Sequence, residues 1–151
     1  MKPTMFESTI PYSSRRIRVA AVYCSDGRFG EQFDEFLRHT LDTELCDRLA
    51  VPGGPASLRR DPGSLPEDSR GILDQLAFLV RAHELQRVIL IAHEPCAFYR
   101  ERLGVPDDSQ HARQARDLKE AAQVVGALAS LQVDLVTARV ENDRVRFEPV
   151  S

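Results

Sequence analysis

A chain of 151 residues, 42% hydrophobic and 28% charged, suits one globular domain built round one core. Its formal net charge of −3, with both signs scattered, gives no electrostatic ground for a nucleic-acid partner. No apolar run approaches the ~20 residues needed to cross a bilayer, and residues 1–16 lack the apolar centre of a signal peptide, so a cytoplasmic protein with no membrane partner is expected.

Residues 1–16 read as an N-terminal arm ahead of a single domain over 17–151. Arg15, Arg16 and Arg18 form the densest basic stretch, which suits a solvated lead-in to a strand. Residues 17–23 are compact and β-prone, and Cys24, Ser25, Asp26, Gly27 and Arg28 follow, which predicts a buried strand ending in a turn. Phe33, Phe36, Leu37 and Thr40 recur at helical spacing, so 31–41 is a short amphipathic helix. A second strand over 44–51 stops at Pro52, Gly53, Gly54 and Pro55. A polar loop covers 58–67. Ser69 is a candidate N-cap for a helix whose apolar face is Ile72, Leu73, Leu76, Ala77, Leu79 and Val80.

The clearest strand runs over 87–92. It is apolar at consecutive positions, as in a strand covered on both faces, and leads straight into His93, Glu94, Pro95 and Cys96. A short helix over 97–103 and a long one over 110–131 follow, the latter with Ala115, Leu118, Ala122, Val125 and Leu128 on one side. A strand over 133–140, a turn at Glu141, Asn142 and Asp143, and an edge strand over 144–150 close the chain. This order predicts a three-layer α/β fold with a mostly parallel sheet, order 2-1-3-4 plus an antiparallel edge strand.

Strands one and three then lie side by side, with a crevice at their carboxyl ends where the connections part. Cys24 ends the first and His93 ends the third, and Cys96 follows where a turn into a helix can bring it back. Thiolate and imidazole are ligands that zinc prefers, and three of them leave a fourth position open. Magnesium or calcium would want oxygen donors instead. Asp26 and Arg28 alternate with Cys24 along an extended stretch, which puts the three side chains on one side. Arg28 can then hold Asp26 bidentately and keep it off the metal. Three cysteines without a secretion signal argue against a disulfide framework. Cys46, on a strand, reads as core packing.

Cys24-x-Asp26-x-Arg28 followed by His93-x-x-Cys96 resembles the zinc signature of the β-class carbonic anhydrases. The resemblance implies one zinc ion per chain on Cys24, His93 and Cys96, with Asp26 and Arg28 gating the fourth position. It implies reversible hydration of carbon dioxide to bicarbonate by hydroxide formed on the zinc. Gly53 and Gly54 resemble the family's glycine-bearing loop after strand two and are candidates for substrate binding. A homodimer or dimer of dimers is implied as well.

Several positions depart from the family pattern. Gly27 stands for the usual serine, and Ala92 and Ala97 stand for glycines. Val51, Pro52, Gly53 and Gly54 stand where Arg-Asn-Ala-Gly is usual. These departures touch the pocket and spare the zinc ligands. They leave open a hydrolase for another small linear molecule such as carbon disulfide or carbonyl sulfide. They also leave open a closed, non-catalytic zinc site with Asp26 or Cys46 as fourth ligand. His39, His83, His111 and Tyr99 are candidate proton relays.

Overall fold

Among the described residues, five strands form one sheet in the order β2-β1-β3-β4-β5. They are β1 (Val19–Cys24), β2 (Cys46–Val51), β3 (Arg87–Glu94), β4 (Gln132–Glu141) and β5 (Arg144–Pro149). The first four are parallel, and β5 turns back antiparallel on β4. The computed structural model describes residues 2, 4–42, 44–59 and 69–151, without the side chains of Ser69 and Arg70. The predicted Ser69 cap and most of the predicted 58–67 loop therefore lie outside the described residues.

The parallel strands require crossovers, and the helices supply them on both faces. One face of β1 and β3 carries Val19, Ala21, Tyr23, Ile89 and Ile91, which pack with Phe33 and Leu37 of α1 (Gly30–Leu41). The other carries Ala20, Val22, Val88, Leu90 and Ala92. These meet Leu76 and Val80 of α2 (Ser69–Ala82) and Leu118, Ala121 and Val125 of α4 (Gln110–Gly126). Because β1 and β3 are covered on both sides, their sequences are apolar without alternation. The β4–β5 hairpin closes through Asn142 and Asp143, both at positive φ (52° and 59°), as a tight right-twisting turn needs. Among the described residues, no helix is long and apolar enough to cross a membrane.

The element order and sheet order agree with the sequence reading, and three local details differ. A 3-10 helix over Gly54–Leu58, wholly buried, follows β2 where the sequence predicts a stop and the start of a loop. Helix α4 ends at Gly126, short of 131. The Ala127 N–H then bonds back to the carbonyls of Gln123 and Val124 in a tightened last turn. Its buried stripe is Gln110, Gln114, Asp117, Leu118, Ala121 and Val125, so Ala115 and Ala122 sit at its margin. Finally, α3 covers only Ala97–Glu101, because the chain reverses through Gly104 at φ +65°.

Candidate metal centre

The register of β1 beside β3 brings two distant parts of the chain to one point. Cys24 is the last residue of β1, and His93 is the last but one of β3. His93 shares the parity of Ile89 and Ile91, so it sits on the α1 side, where the Phe29 ring lies 4.3 Å from its imidazole, centroid to centroid. Cys96 caps the start of α3 with extended backbone (φ −123°, ψ 121°) and so points back to the strand ends. One donor atom from each of Cys24, His93 and Cys96 lies within 4.8 Å of the others. All three residues are buried, to 7%, 2% and 2% exposure respectively.

The chemistry of this trio fits a soft divalent cation. Among the described residues, neither nitrogen of His93 has a hydrogen-bond partner, although both are buried. A buried polar group left unsatisfied costs about 1–3 kcal/mol, and metal ligation would relieve it. The two thiols also divide sharply in acidity. The Cys96 thiol donating to Cys24 pulls the pKa of Cys24 far down against the effect of burial, with the His93 imidazole adding to this. The neighbouring Cys24 thiolate, then burial, drives Cys96 up. One proton leaves easily and the second resists, and a dication is what would bring the second one off. Two sulfurs and an imidazole match zinc better than any hard cation.

Beyond Cys24 the chain does not stay extended. The Phe29 N–H donates to the Asp26 carbonyl at 3.1 Å, closing a turn over 26–29. Asp26 and Arg28 meet through this turn rather than through the pleat expected from alternation. Arg28 Nη2 donates to Asp26 Oδ2 at 2.6 Å, and its Nε and backbone N–H both donate to Oδ1 at 3.0 Å. The bidentate guanidinium holds the Asp26 carboxyl down at about 2. The Asp26 carboxylate is not among the three converging donors.

Gly53 and Gly54 close the site from β2. The Gly53 N–H donates to Cys24 Sγ at 3.4 Å. At φ +78°, a Cβ on Gly53 would lie 2.4 Å from the Phe98 ring, and one on Gly54 (φ +51°) would lie 2.7 Å from the backbone of Tyr23 and Cys24. Both positions need glycine, for close approach as much as for backbone angle.

Residues 14–151 match a family model described as "Putative carbonic anhydrase". The chain belongs to this carbonic anhydrase family. Its fold is that of solved carbonic anhydrases of low identity. A carbonic anhydrase from Glaciozyma antarctica is 18% identical, with TM-score 0.57, over 90% of this chain and 83% of that one. The β-carbonic anhydrase CafA of Aspergillus fumigatus is 14% identical, with TM-score 0.53, over 91% and 77%. A carbonic anhydrase from Streptococcus mutans is 16% identical, with TM-score 0.52, over 90% and 82%. No curated protein sequence matches the chain.

Within this carbonic anhydrase fold the remaining sequence candidates separate. Cys46 pairs with Val19, whereas Cys24 pairs with Val51, so Cys46 lies at the opposite end of the sheet, about 16 Å of strand away. That distance removes it as a fourth ligand. It is half-buried, and burial pushes its thiol up to about 11. His83 is bonded to Asp47 (2.6 Å), and His39 lines a groove between α1 and β5. Nearer the 93–96 segment, His111 Nδ1 lies 2.7 Å from the Glu94 carboxylate. The buried Tyr99 hydroxyl donates to Asp117 at 2.9 Å.

Sequence reasoning missed Gln110 and Gln114. They sit one turn apart on the buried stripe of α4 and bond the backbone of the 93–96 segment. The available signal was two amides four residues apart at the start of a helix, on the face carrying its core residues. It also missed Phe29, whose ring is the nearest aromatic neighbour of His93.

Proposed function

We propose that Cys24, His93 and Cys96 hold one zinc ion per chain, and that the protein catalyses the reversible hydration of carbon dioxide to bicarbonate. The observation that carries this reading is the meeting of two buried thiols with a buried imidazole that has no other polar partner among the described residues. Zinc bound there would supply Lewis acidity that makes water a nucleophile near neutral pH.

The chain's own residues would do the rest. The Gly53 N–H stabilises negative charge on Cys24 Sγ. The Asp26 carboxylate, kept ionised by Arg28, is a fixed acceptor beside the site and orients the attacking water by taking its hydrogen bond. Arg28 in turn restrains that carboxylate from becoming a ligand itself. Ala56, Tyr99 and Val105 pack with the two cysteines in an apolar wall, which suits a small, uncharged linear substrate and limits competing water. Gly53 and Gly54 let the backbone approach such a substrate.

The apolar wall also favours a second reading, hydrolysis of carbon disulfide or carbonyl sulfide, which release of sulfide would reveal. We read the molecule as a cytoplasmic homodimer of a single domain over 17–151. A monomeric mass by sedimentation would reject the dimer.

The test begins with metal content. Wild type should carry about one zinc per chain, and Cys24→Ser should carry little or none. Stopped-flow hydration of carbon dioxide by the loaded wild type should then be fast, and Asp26→Asn should slow it by about 10²–10⁴-fold with zinc retained. Zinc-loaded protein that is inactive at both mildly acidic and alkaline pH would reject the hydratase.

A further inference from the structure

Metal-binding histidines usually donate their second ring N–H to a carboxylate or carbonyl, which fixes the ring. Among the described residues, His93 has no such partner. Its ring rests against Phe29, a contact without directional hydrogen bonds. Among the described residues, what fixes the imidazole, and Cys96 three residues on, is the backbone that carries them.

That backbone is held by two fully buried amides. Gln110 Oε1 accepts the Cys96 N–H at 2.8 Å, and Gln110 Nε2 donates to the Cys96 carbonyl at 3.1 Å. One side chain thus grips the peptide groups on both sides of a thiol-bearing residue. The same Nε2 lies 3.1 Å from Asp107 Oδ1 and 3.3 Å from the Val105 carbonyl, tying in the segment after α3. One turn further along α4, Gln114 Nε2 donates to the His93 carbonyl at 2.8 Å and lies 3.4 Å from Gln110 Oε1. Gln110 and Gln114 are 0% and 1% exposed, so water does not compete for these bonds.

We infer that Gln110 and Gln114 are positioning residues that set the affinity of the zinc site, by clamping the backbone of His93 and Cys96 to helix α4. The role rests on zinc being bound at Cys24, His93 and Cys96. Amides suit it because each offers both a donor and an acceptor and neither carries charge. A glutamate at 110 could still accept from the Cys96 N–H, but it would face the Cys96 and Val105 carbonyls and the Asp107 carboxylate with no donor.

Zinc dissociation constants are measured by competition with a chromophoric chelator for wild type, Gln110→Met, Gln110→Glu and Gln114→Met. Metal-free melting temperatures are recorded alongside. Methionine keeps most of the volume and removes the hydrogen bonds. Each variant should bind zinc about 10- to 100-fold more weakly. Cobalt substitution should keep the thiolate-to-metal absorption but broaden or shift it. Leu118→Ala, on the same helix and away from the clamp, should lower the melting temperature and leave the zinc constant unchanged.

Folded Gln110→Met and Gln114→Met proteins with wild-type zinc affinity would overturn the clamp while leaving the zinc site intact. A loss of affinity in Leu118→Ala as large as in the glutamine variants would overturn it too. If Gln110→Met does not fold, Gln114→Met decides alone, since it leaves every Gln110 bond to Cys96 in place. Wild type that binds no zinc would instead reject the metal reading, and the clamp with it.

Discussion

At Gly53 a single hydrogen atom decides whether two parts of the chain can touch. The Phe98 ring occupies the space a Cβ would need, at 2.4 Å. Gly53→Ala therefore has to displace that ring as well as strain a backbone at φ +78°, which costs about 1–2 kcal/mol by itself. We expect Gly53→Ala to destabilise the fold and weaken zinc binding. Phe98→Ala in the same chain should restore part of both, leaving only the backbone cost. The check is a double-mutant cycle in denaturant melts, and a coupling near zero would mean the ring yields freely. The sequence pointed to this loop through its two glycines but could not show what they avoid, since Phe98 lies far along the chain. The Asp26–Arg28 pair was legible from spacing alone, though by the wrong route. A turn, not a strand, joins them, and spacing of two serves both.

Elements differ in how openly their sequences declare them. Strand β3 declares itself because burial on both faces leaves an unbroken apolar run. Helix α4 hides its inner face, because Gln110, Gln114 and Asp117 occupy positions that an apolar stripe would claim. Asp117 is tolerated there because Tyr99, Arg113 and Arg59 surround its carboxylate. The placement of Cys46 on β2 follows the same logic of burial and has a measurable result. Its thiol ionises at about 11 in the folded chain, against 9.0 without that environment, because burial disfavours the thiolate. The unfolded chain thus loses this proton first. Stability from this source is complete below pH 9 and falls as pH rises from 9 through 11. Cys46→Ala should remove that part of the alkaline decline, seen as a shallower fall of melting temperature between those values. An unchanged slope would show that Cys46 reaches water.

For the whole molecule, zinc binding at the proposed site would be linked to folding, since the donors converge only when β1 lies beside β3. With free zinc about 1,000-fold above its dissociation constant, stabilisation is about 4 kcal/mol. For a chain of this size, that corresponds to roughly 8–16 °C in melting temperature. Chelator treatment of wild type should lower the melting point by that order, and Cys24→Ser should melt alike with and without chelator. Equal melting of treated and untreated wild type would mean that the ion adds nothing to the fold. The family and the sheet order were readable from a handful of residues because strand ends in a parallel sheet bring distant positions together by topology. The amides behind them were not, because only packing reveals which backbone they grip.

The pairing of β1 with β3 has one more consequence. A slip of a single residue would turn the sulfur of Cys24 to the opposite face of the sheet. A chain misaligned in this way would present two donors instead of three and hold the cation poorly. Uptake of zinc at the proposed site would thus act as proofreading: it would select molecules whose central strands met in the correct alignment, before any substrate arrives.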